Sequence, residues 1–481
     1  MTAMSSTPTE YDVIVIGGGP AGENAADYAI AGSDRTAAIV ERELVGGECS
    51  YWACIPSKAL LRPGHVLGAA RAMDGISATG LDVEAVLRRR DSFVSDHDDT
   101  SQVKWAGDHR IEVVRGTGKL VGERLVEVDG RVLRARHAVV LATGTTASVP
   151  DVPGLRDALP WISRDATNLH EVPGRVVIIG GGVVACEAAT WLNALGAQVS
   201  MVVRGGAVLA SAEPFAGERV VAALTERGVR VLLDTSPTSV HRPDAKDTGE
   251  GRIHGGPVTV RVHGAQGDTE LEADEIIVAA GRAPATGGLG LDSVGLKEGY
   301  VPVDDRLTVR DVDGDWLYCV GDLNHRAALT HMGKYQARVC GDVIAARAEG
   351  RPLDDPRFTA SADHGQVPQV VYTAPEVASV GLTEAAARDA GHAVETVELD
   401  ISVAGSALAR NDFAGHAKLV IDTATDTLLG ATFVGPEAGE QLHAATIAVV
   451  GKVPLATLWH AVPAFPAVSE FWLRLLETRR A

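Results

Sequence analysis

Residues 13–22 read VIVIGGGPAG, residues 176–185 read VVIIGGGVVA, and this echo decides the fold. Each stretch is a β-branched run that enters a glycine cluster and continues into a helix-like segment. β-Branched residues favour strands, and glycine permits the tight turn that follows. A second apolar run comes after each unit, at residues 37–40 and 199–203. Two strand–turn–helix–strand units predict two Rossmann-like dinucleotide-binding domains in an α/β chain. In the first unit, Gly17, Gly19 and Gly22 give the tight turn, the close backbone approach to a pyrophosphate and the close helix–strand packing. The helix N-terminus then offers unpaired N–H groups and the positive end of its dipole to phosphates. Glu41 ends the second strand, where a carboxylate accepts hydrogen bonds from a ribose diol. Gly180, Gly182 and Ala185 take the matching places in the second unit.

The chain has 481 residues, 46% hydrophobic and 22% charged, which suits several folded domains and not disorder. A formal net charge of −19 argues against nucleic acid or an anionic membrane as partner. The first ten residues are polar and lack an apolar signal core. No uninterrupted apolar run reaches spanning length. The expectation is a soluble, cytoplasmic protein. Fifty-three glycines with 4% aromatics suit a chain of tight strand-to-helix turns. Five cysteines form no disulfide framework in a chain this long, and Cys186, Cys319 and Cys340 read as small core residues.

Residues 64–99 are helical in composition, with Arg88, Arg89 and Arg90 read as a solvated face. Strands are expected over residues 111–140, ending in VVLATG at 139–144. The segment SVPDVPG at 148–154 reads as a linker. A similar exit, IIVAAGRAP, lies at 276–284, and WLYCVGDL at 316–323 is a further strand ending in Gly321-Asp322. Asp322 reads equally as a ligand carboxylate and as a helix cap. From about residue 352 strands and helices alternate as in a separate α+β domain. The expected division is 1–148 and 280–350 for the first dinucleotide-binding domain, 149–279 for the second, and 351–481 for the last.

Residues 46–58 read GGECSYWACIPSK. Five residues of regular helix rise about 7.5 Å, more than the Cα separation of about 4.4–6.8 Å that a disulfide tolerates. If Cys49 and Cys54 bond, Cys49 belongs in an irregular turn and Cys54 in the first turn of the helix. That position, with Lys58 near, favours thiolate.

These residues resemble the class I pyridine nucleotide–disulfide oxidoreductases, the family of dihydrolipoamide dehydrogenase, glutathione reductase and mercuric reductase. The likeness spans the first glycine motif, C-x4-C followed by Ile-Pro-Ser-Lys, ATG at 142–144, the second glycine motif, AAGR at 279–282, Gly321-Asp322 and TAPEVASVGLTE at 373–384. It implies two Rossmann-like domains with a C-terminal α+β dimerisation domain, FAD on the first unit, a nicotinamide nucleotide on the second, and an obligate homodimer. It places Thr143, Gly144, Gly321 and Asp322 on the FAD side and Gly281 on the nucleotide side. It makes Cys54 the flavin-proximal thiol, Cys49 the interchange thiol, Lys58 the lysine near the flavin N5 and Glu187 its carboxylate partner. Val203 stands where NADH-specific relatives place a glutamate, and Arg204 follows it, which implies NADPH preference with NADH still usable.

The chain departs from the family at residues 465–470, Phe-Pro-Ala-Val-Ser-Glu, where the family's His-Pro-x-x-x-Glu supplies the exchange acid and base. Phe465 carries no proton. His460 and Glu470 stand as alternative proton carriers, each against the plainer reading of no redox role. The cysteine pair that ends mercuric reductases has no counterpart after Cys340. Tyr51 and Trp52 are expected to narrow the site, to stack on a planar acceptor, or to pack against the dimer partner. The acceptor stays open: a disulfide or thiol-reactive small molecule, or a quinone or metal ion. A flavin-binding protein without catalysis is the third reading.

Overall fold

The computed structural model describes residues 8–265 and 267–480, so most of the polar N-terminal stretch read above lies outside the described residues. The chain forms two compact units. One takes the segment up to Ile55 with Val94–Thr146 and Arg282–Asp363; the other takes Pro56–Phe93, Ala147–Gly281 and His364–Ala481.

In the first unit the run at 13–16 lies within the strand Thr9–Ile16, whose last six residues are buried. It pairs in parallel with Ala37–Glu41 on one side and Arg131–Leu141 on the other. Ile111–Arg115 extends the parallel order beyond Ala37–Glu41. Leu317–Cys319 runs parallel to the far end of Arg131–Leu141, and Leu125–Val128 and Gly118–Gly122 fold back antiparallel from its near end. A strand buried on both faces needs a continuous apolar run, which these sequences supply. The sheet turns sharply into the helix Pro20–Ile30 because Gly17 has φ +107°. A Cβ there would strike the Ala142 carbonyl, and one on Gly22 would strike the Gly17 carbonyl. The alanine face of this helix packs under Thr330–Ala348, where Gly341 leaves room for Tyr28.

The second unit repeats the pattern with Arg230–Leu232, Gln198–Val202, Arg175–Ile179 and Glu275–Val278, all parallel. A three-stranded antiparallel sheet, Ser236–His241, Val258–Gly264 and Gly267–Ala273, joins the same unit. Its C-terminal part is a five-stranded antiparallel sheet in the order Pro368–Val371, Glu376–Gly381, Thr427–Gly435, His416–Asp422, Val394–Asp400. The helices Ala438–Val450 and Phe471–Arg480 contribute buried side chains to its core. Among the described residues no helix is long and apolar enough to cross a membrane.

Two sequence expectations change. The stretch 64–99 breaks into Cys54–Arg71 and Val83–Phe93, with residues 72–82 outside both helices. The arginine cluster is not uniformly solvated. Arg88 and Arg89 are exposed, but Arg90 is 2% exposed and donates to the carbonyls of Thr167 and Leu169. A guanidinium presents several N–H donors in a fixed fork and ties two backbone carbonyls at once.

Arg90→Ala leaves those carbonyls without a donor and opens a cavity, so it should lower stability by about 3 kcal/mol. Arg88→Ala should change it by less than about 0.5 kcal/mol. Urea unfolding of both variants checks the contrast.

Candidate active site

The first glycine turn fits a bound dinucleotide. No side chain caps the helix Pro20–Ile30, so the N–H groups of its first turn are free for phosphate. Glu41 folds back over the turn: its Oε2 accepts from Gly18 N at 2.7 Å and its Oε1 from Glu43 N at 2.7 Å. Thr143 donates to the Ala285 carbonyl at 2.8 Å, and Gly144 has φ +69°. Gly321 has φ +75°, its N–H donates to Gln336 Oε1, and Asp322 accepts from the Thr145 hydroxyl at 2.9 Å. The structure thus gathers Gly17, Gly19, Gly22, Glu41, Thr143, Gly144, Gly321 and Asp322 in one unit.

Sequence reading gave no role to Arg282, although it quoted the AAGR that contains it. Its Nη2 donates to Glu48 Oε2 at 2.6 Å and to the Thr145 carbonyl at 2.6 Å. Glu48 directly precedes Cys49. Arg282 therefore holds the start of the cysteine segment against the same Thr145 that holds Asp322.

The cysteine segment begins at two left-handed glycines, Gly46 at φ +111° and Gly47 at φ +60°. Cys49 then lies in the five-residue helix Gly47–Tyr51, not in an irregular turn. The irregularity falls after it: Trp52 leaves helical geometry at φ −132°, and Cys54 opens the long helix Cys54–Arg71. This break lets the two thiols become hydrogen-bonding neighbours, which an unbroken helix would forbid. Both are free thiols. The Cys54 sulfur and burial push the Cys49 thiol up, against the pull of Thr330 and Lys334. Cys54 Sγ lies 3.3 Å from Thr330 Oγ1. No local pattern announces Thr330, which is 276 residues away in sequence.

Tyr51 and Trp52 are 2% and 8% exposed and pack on each other, on Val94 and on His97. The Tyr51 hydroxyl donates to the Val45 carbonyl. Both rings are spent on this chain's own packing, which corrects the expectation of an acceptor platform or a partner contact. Cys186, Cys319 and Cys340 are buried, as expected of core residues.

The second unit holds the other candidates. Gly180 has φ +141°, and a Cβ there would strike the Ala279 carbonyl. Gly182 precedes the uncapped helix Val183–Ala194, whose Ala185 is buried, so this turn also fits a dinucleotide. Val203 is buried beneath Gly181, Arg204 is exposed, and Gly281 has φ +130°. Glu187, 3% exposed, accepts from Lys58 Nζ at 2.8 and 3.1 Å and from Tyr372 N at 2.9 Å. Lys58 also lies 4.9 Å above the Tyr372 ring. At the C-terminal end Phe465 is 77% exposed and His460 is exposed on a loop. Glu470 pairs with Arg474 at 2.7 Å.

Two uncapped glycine turns with a thiol pair beside the first define a dinucleotide-dependent oxidoreductase. The comparisons agree. Residues 11–340 match the pyridine nucleotide-disulphide oxidoreductase model, and residues 367–475 match that family's dimerisation domain. The chain belongs to the pyridine nucleotide-disulphide oxidoreductase family. It is 31% identical to a dihydrolipoyl dehydrogenase of Chlamydia trachomatis, over 96% of this chain and 95% of the relative. It is 32% identical to a mercuric reductase of Streptomyces lividans, over 95% and 94%. A flavoprotein disulfide reductase of Escherichia coli, solved as a copper(II) complex, superposes with a TM-score of 0.81 at 22% identity, covering 98% of this chain and 99% of that one. The chain is an enzyme whose family uses FAD and NAD(P)H.

Lys58→Met leaves the Glu187 carboxylate buried with one backbone donor. Lys58 is itself about a third exposed, so the loss should be about 2 kcal/mol, below that of a fully buried pair. Lys58→Met with Glu187→Gln should recover most of it, which thermal unfolding of the four species measures.

Proposed function

We propose that this enzyme is an FAD-dependent, NADPH-preferring disulfide reductase that uses Cys49 and Cys54 as its redox pair and a small-molecule disulfide or thiol-reactive compound as acceptor. The observation that carries the reading is the helix break at Trp52, which makes the two thiols neighbours on the segment fastened to the first glycine turn. Bound FAD and NADPH supply a two-electron carrier and a hydride donor. Cys54, beside Thr330, takes the role of flavin-facing thiolate, because a hydroxyl can donate to it and stabilise its charge. Cys49 keeps its proton and meets the acceptor. Lys58, held by Glu187, provides a fixed positive charge at the flavin. In this proposal residues 1–148 and 280–350 bind FAD, 149–279 bind NADPH, and 351–481 form the dimerisation domain. The working enzyme is a homodimer.

A second reading is favoured by Phe465. With no imidazole at that position, an acceptor needing no proton at a leaving sulfur, such as a quinone or a metal ion, loses less than a dithiol does. Turnover of NADPH against lipoamide, low-molecular-weight disulfides, quinones and metal ions tests both. The disulfide reading requires disulfide turnover that Cys49→Ser abolishes. Turnover of quinones or metal ions alone, surviving that substitution, replaces it with the second reading. Lipoamide should be slow.

Two predictions check the assignments. Two-electron reduction of the holoenzyme should produce a long-wavelength charge-transfer absorption that depends on Cys54. Cys54→Ser should abolish it, and Cys49→Ser should show it without reduction. The exposed Arg204 offers its fork to a 2′-phosphate. Arg204→Ala should therefore lower kcat/KM for NADPH about tenfold and leave NADH within about twofold. A wild type that favours NADH overturns the assignment.

A further inference from the structure

A pocket of about 410 Å³ opens in the first unit, lined by Glu23, Asn24, Ser101, Gln102, Trp105 and Lys334. Glu23 and Asn24 sit in the first turns of Pro20–Ile30, Ser101, Gln102 and Trp105 on Thr100–Asp108, and Lys334 on Thr330–Ala348. Helix geometry and backbone contacts relate it to the cysteine segment. Lys334 is one helical turn beyond Thr330, which touches Cys54, so both project from one face. The Lys334 charge acts on both the Cys49 thiol and the Glu23 carboxyl. The Glu23 charge acts on Tyr51, two residues past Cys49. Backbone contacts fasten these elements: Gly46 N donates to Gly18 O at 2.7 Å, and a Cβ on Gly47 would lie 2.7 Å from Gly19 Cα.

Glu23 is unusual among the carboxylates of this region. Glu41, Glu48 and Asp322 all accept hydrogen bonds. The Glu23 carboxyl has no hydrogen bond or ion pair among the described residues. Lys334 is the one charged group acting on it. Thr100–Asp108 presents only the uncharged Ser101, Gln102 and Trp105 to the pocket. Burial outweighs Lys334 and pushes Glu23 up to about 7. A carboxyl poised near neutrality in a pocket is suited to both giving and taking a proton.

We propose that Glu23 moves the proton at the sulfurs during exchange between Cys49 and the acceptor, the task that Phe465 leaves without an acid or base. The inference rests on the disulfide reading above. The exchange starts from the reduced pair. The Cys49 thiol gives its proton to the Glu23 carboxylate, and its sulfur attacks one sulfur of the acceptor disulfide. A Cys49–acceptor bond forms, the acceptor S–S bond breaks, and the departing thiolate in the pocket takes the proton back from Glu23. The Cys54 thiolate then attacks Cys49 Sγ. This forms the Cys49–Cys54 bond and releases the second acceptor thiolate, which is protonated by solvent. The acceptor gains two electrons and two protons, and the cysteine pair is oxidised.

The first test needs no acceptor. NADPH-reduced holoenzyme is treated with iodoacetamide from pH 5 to 9, and carbamidomethylation of Cys49 is followed by mass spectrometry. In the wild type the rate should step up near pH 7, where Glu23 ionises and can take the thiol proton. Glu23→Gln should remove that step, and Glu23→Asp should keep one. Lys334→Met should move the step to higher pH, because the charge that lowers the Glu23 pKa is gone. Lys334 also acts on Cys49 directly, so that shift supports the proposal only together with loss of the step in Glu23→Gln. An unchanged step in Glu23→Gln, or an unmoved one in Lys334→Met, overturns the proposal. The second test is turnover with two probes. Glu23→Gln should slow bis(2-hydroxyethyl) disulfide, whose leaving thiol is basic, about 10²-fold or more. It should slow 5,5′-dithiobis(2-nitrobenzoate), whose leaving thiolate needs no proton, by a distinctly smaller factor, because only the transfer from Cys49 is lost there. Equal losses, or none, overturn the proposal. A wild type that reduces neither probe removes the disulfide reading instead, and the alkylation profile then decides on Glu23 alone.

Discussion

The rest of the first unit depends on one close approach of backbone to backbone. Gly18 accepts a hydrogen bond from Gly46, and Gly47 rests on Gly19 with no space for a side chain. The turn that fits a pyrophosphate is thus also the anchor of the cysteine segment. Neither could shift without the other, since packed backbone has no slack comparable to that of a long side chain. Arg282 adds a second anchor through Glu48 and Thr145, and Thr145 passes the constraint to Asp322. Glycine turn and cysteine segment are in this way one rigid construction.

Much of this was legible in the chain. The echo of residues 13–22 at 176–185 reports two parallel units because a β-branched run followed by glycines has few other uses. Glu41 was legible for a similar reason: its place at the end of a strand is fixed by counting. The short helix holding Cys49 was not. Periodicity cannot register a five-residue element, and the geometry of the break depends on Trp52 packing against Val94 and His97, more than forty positions on. Arg90 failed for the opposite reason. Three consecutive arginines look alike in sequence, but a helix points them in different directions, and only one of them meets the carbonyls of Thr167 and Leu169.

Thr330, Lys334 and Glu23 mark the limit of reading by motif. Thr330 and Lys334 lie on a helix some 280 residues from the cysteines, and nothing around them signals chemistry. Glu23 follows the glycine turn directly, yet its sequence position resembles an ordinary first-turn acid that complements a helix dipole. Its surroundings separate the two roles. A dipole-complementing glutamate is solvated at the surface, whereas this one lines a pocket and is desolvated enough to titrate near neutrality.

The candidate carboxylates therefore divide by what already holds them. Glu187 is gripped by Lys58 and the Tyr372 amide, Glu48 by Arg282, and Glu470 by Arg474. A carboxylate held by a cation is fixed in place and keeps its charge, which suits it to orient a neighbour. To accept a proton it must first give up that interaction. Proton transfer instead calls for a group whose two protonation states differ little in energy at the working pH. Desolvation opposed by one cation across a pocket produces that balance, and pairing at contact distance does not. The family's histidine reaches the same balance through its intrinsic pKa, so its replacement by Phe465 removes a residue without removing the only physical route to exchange chemistry.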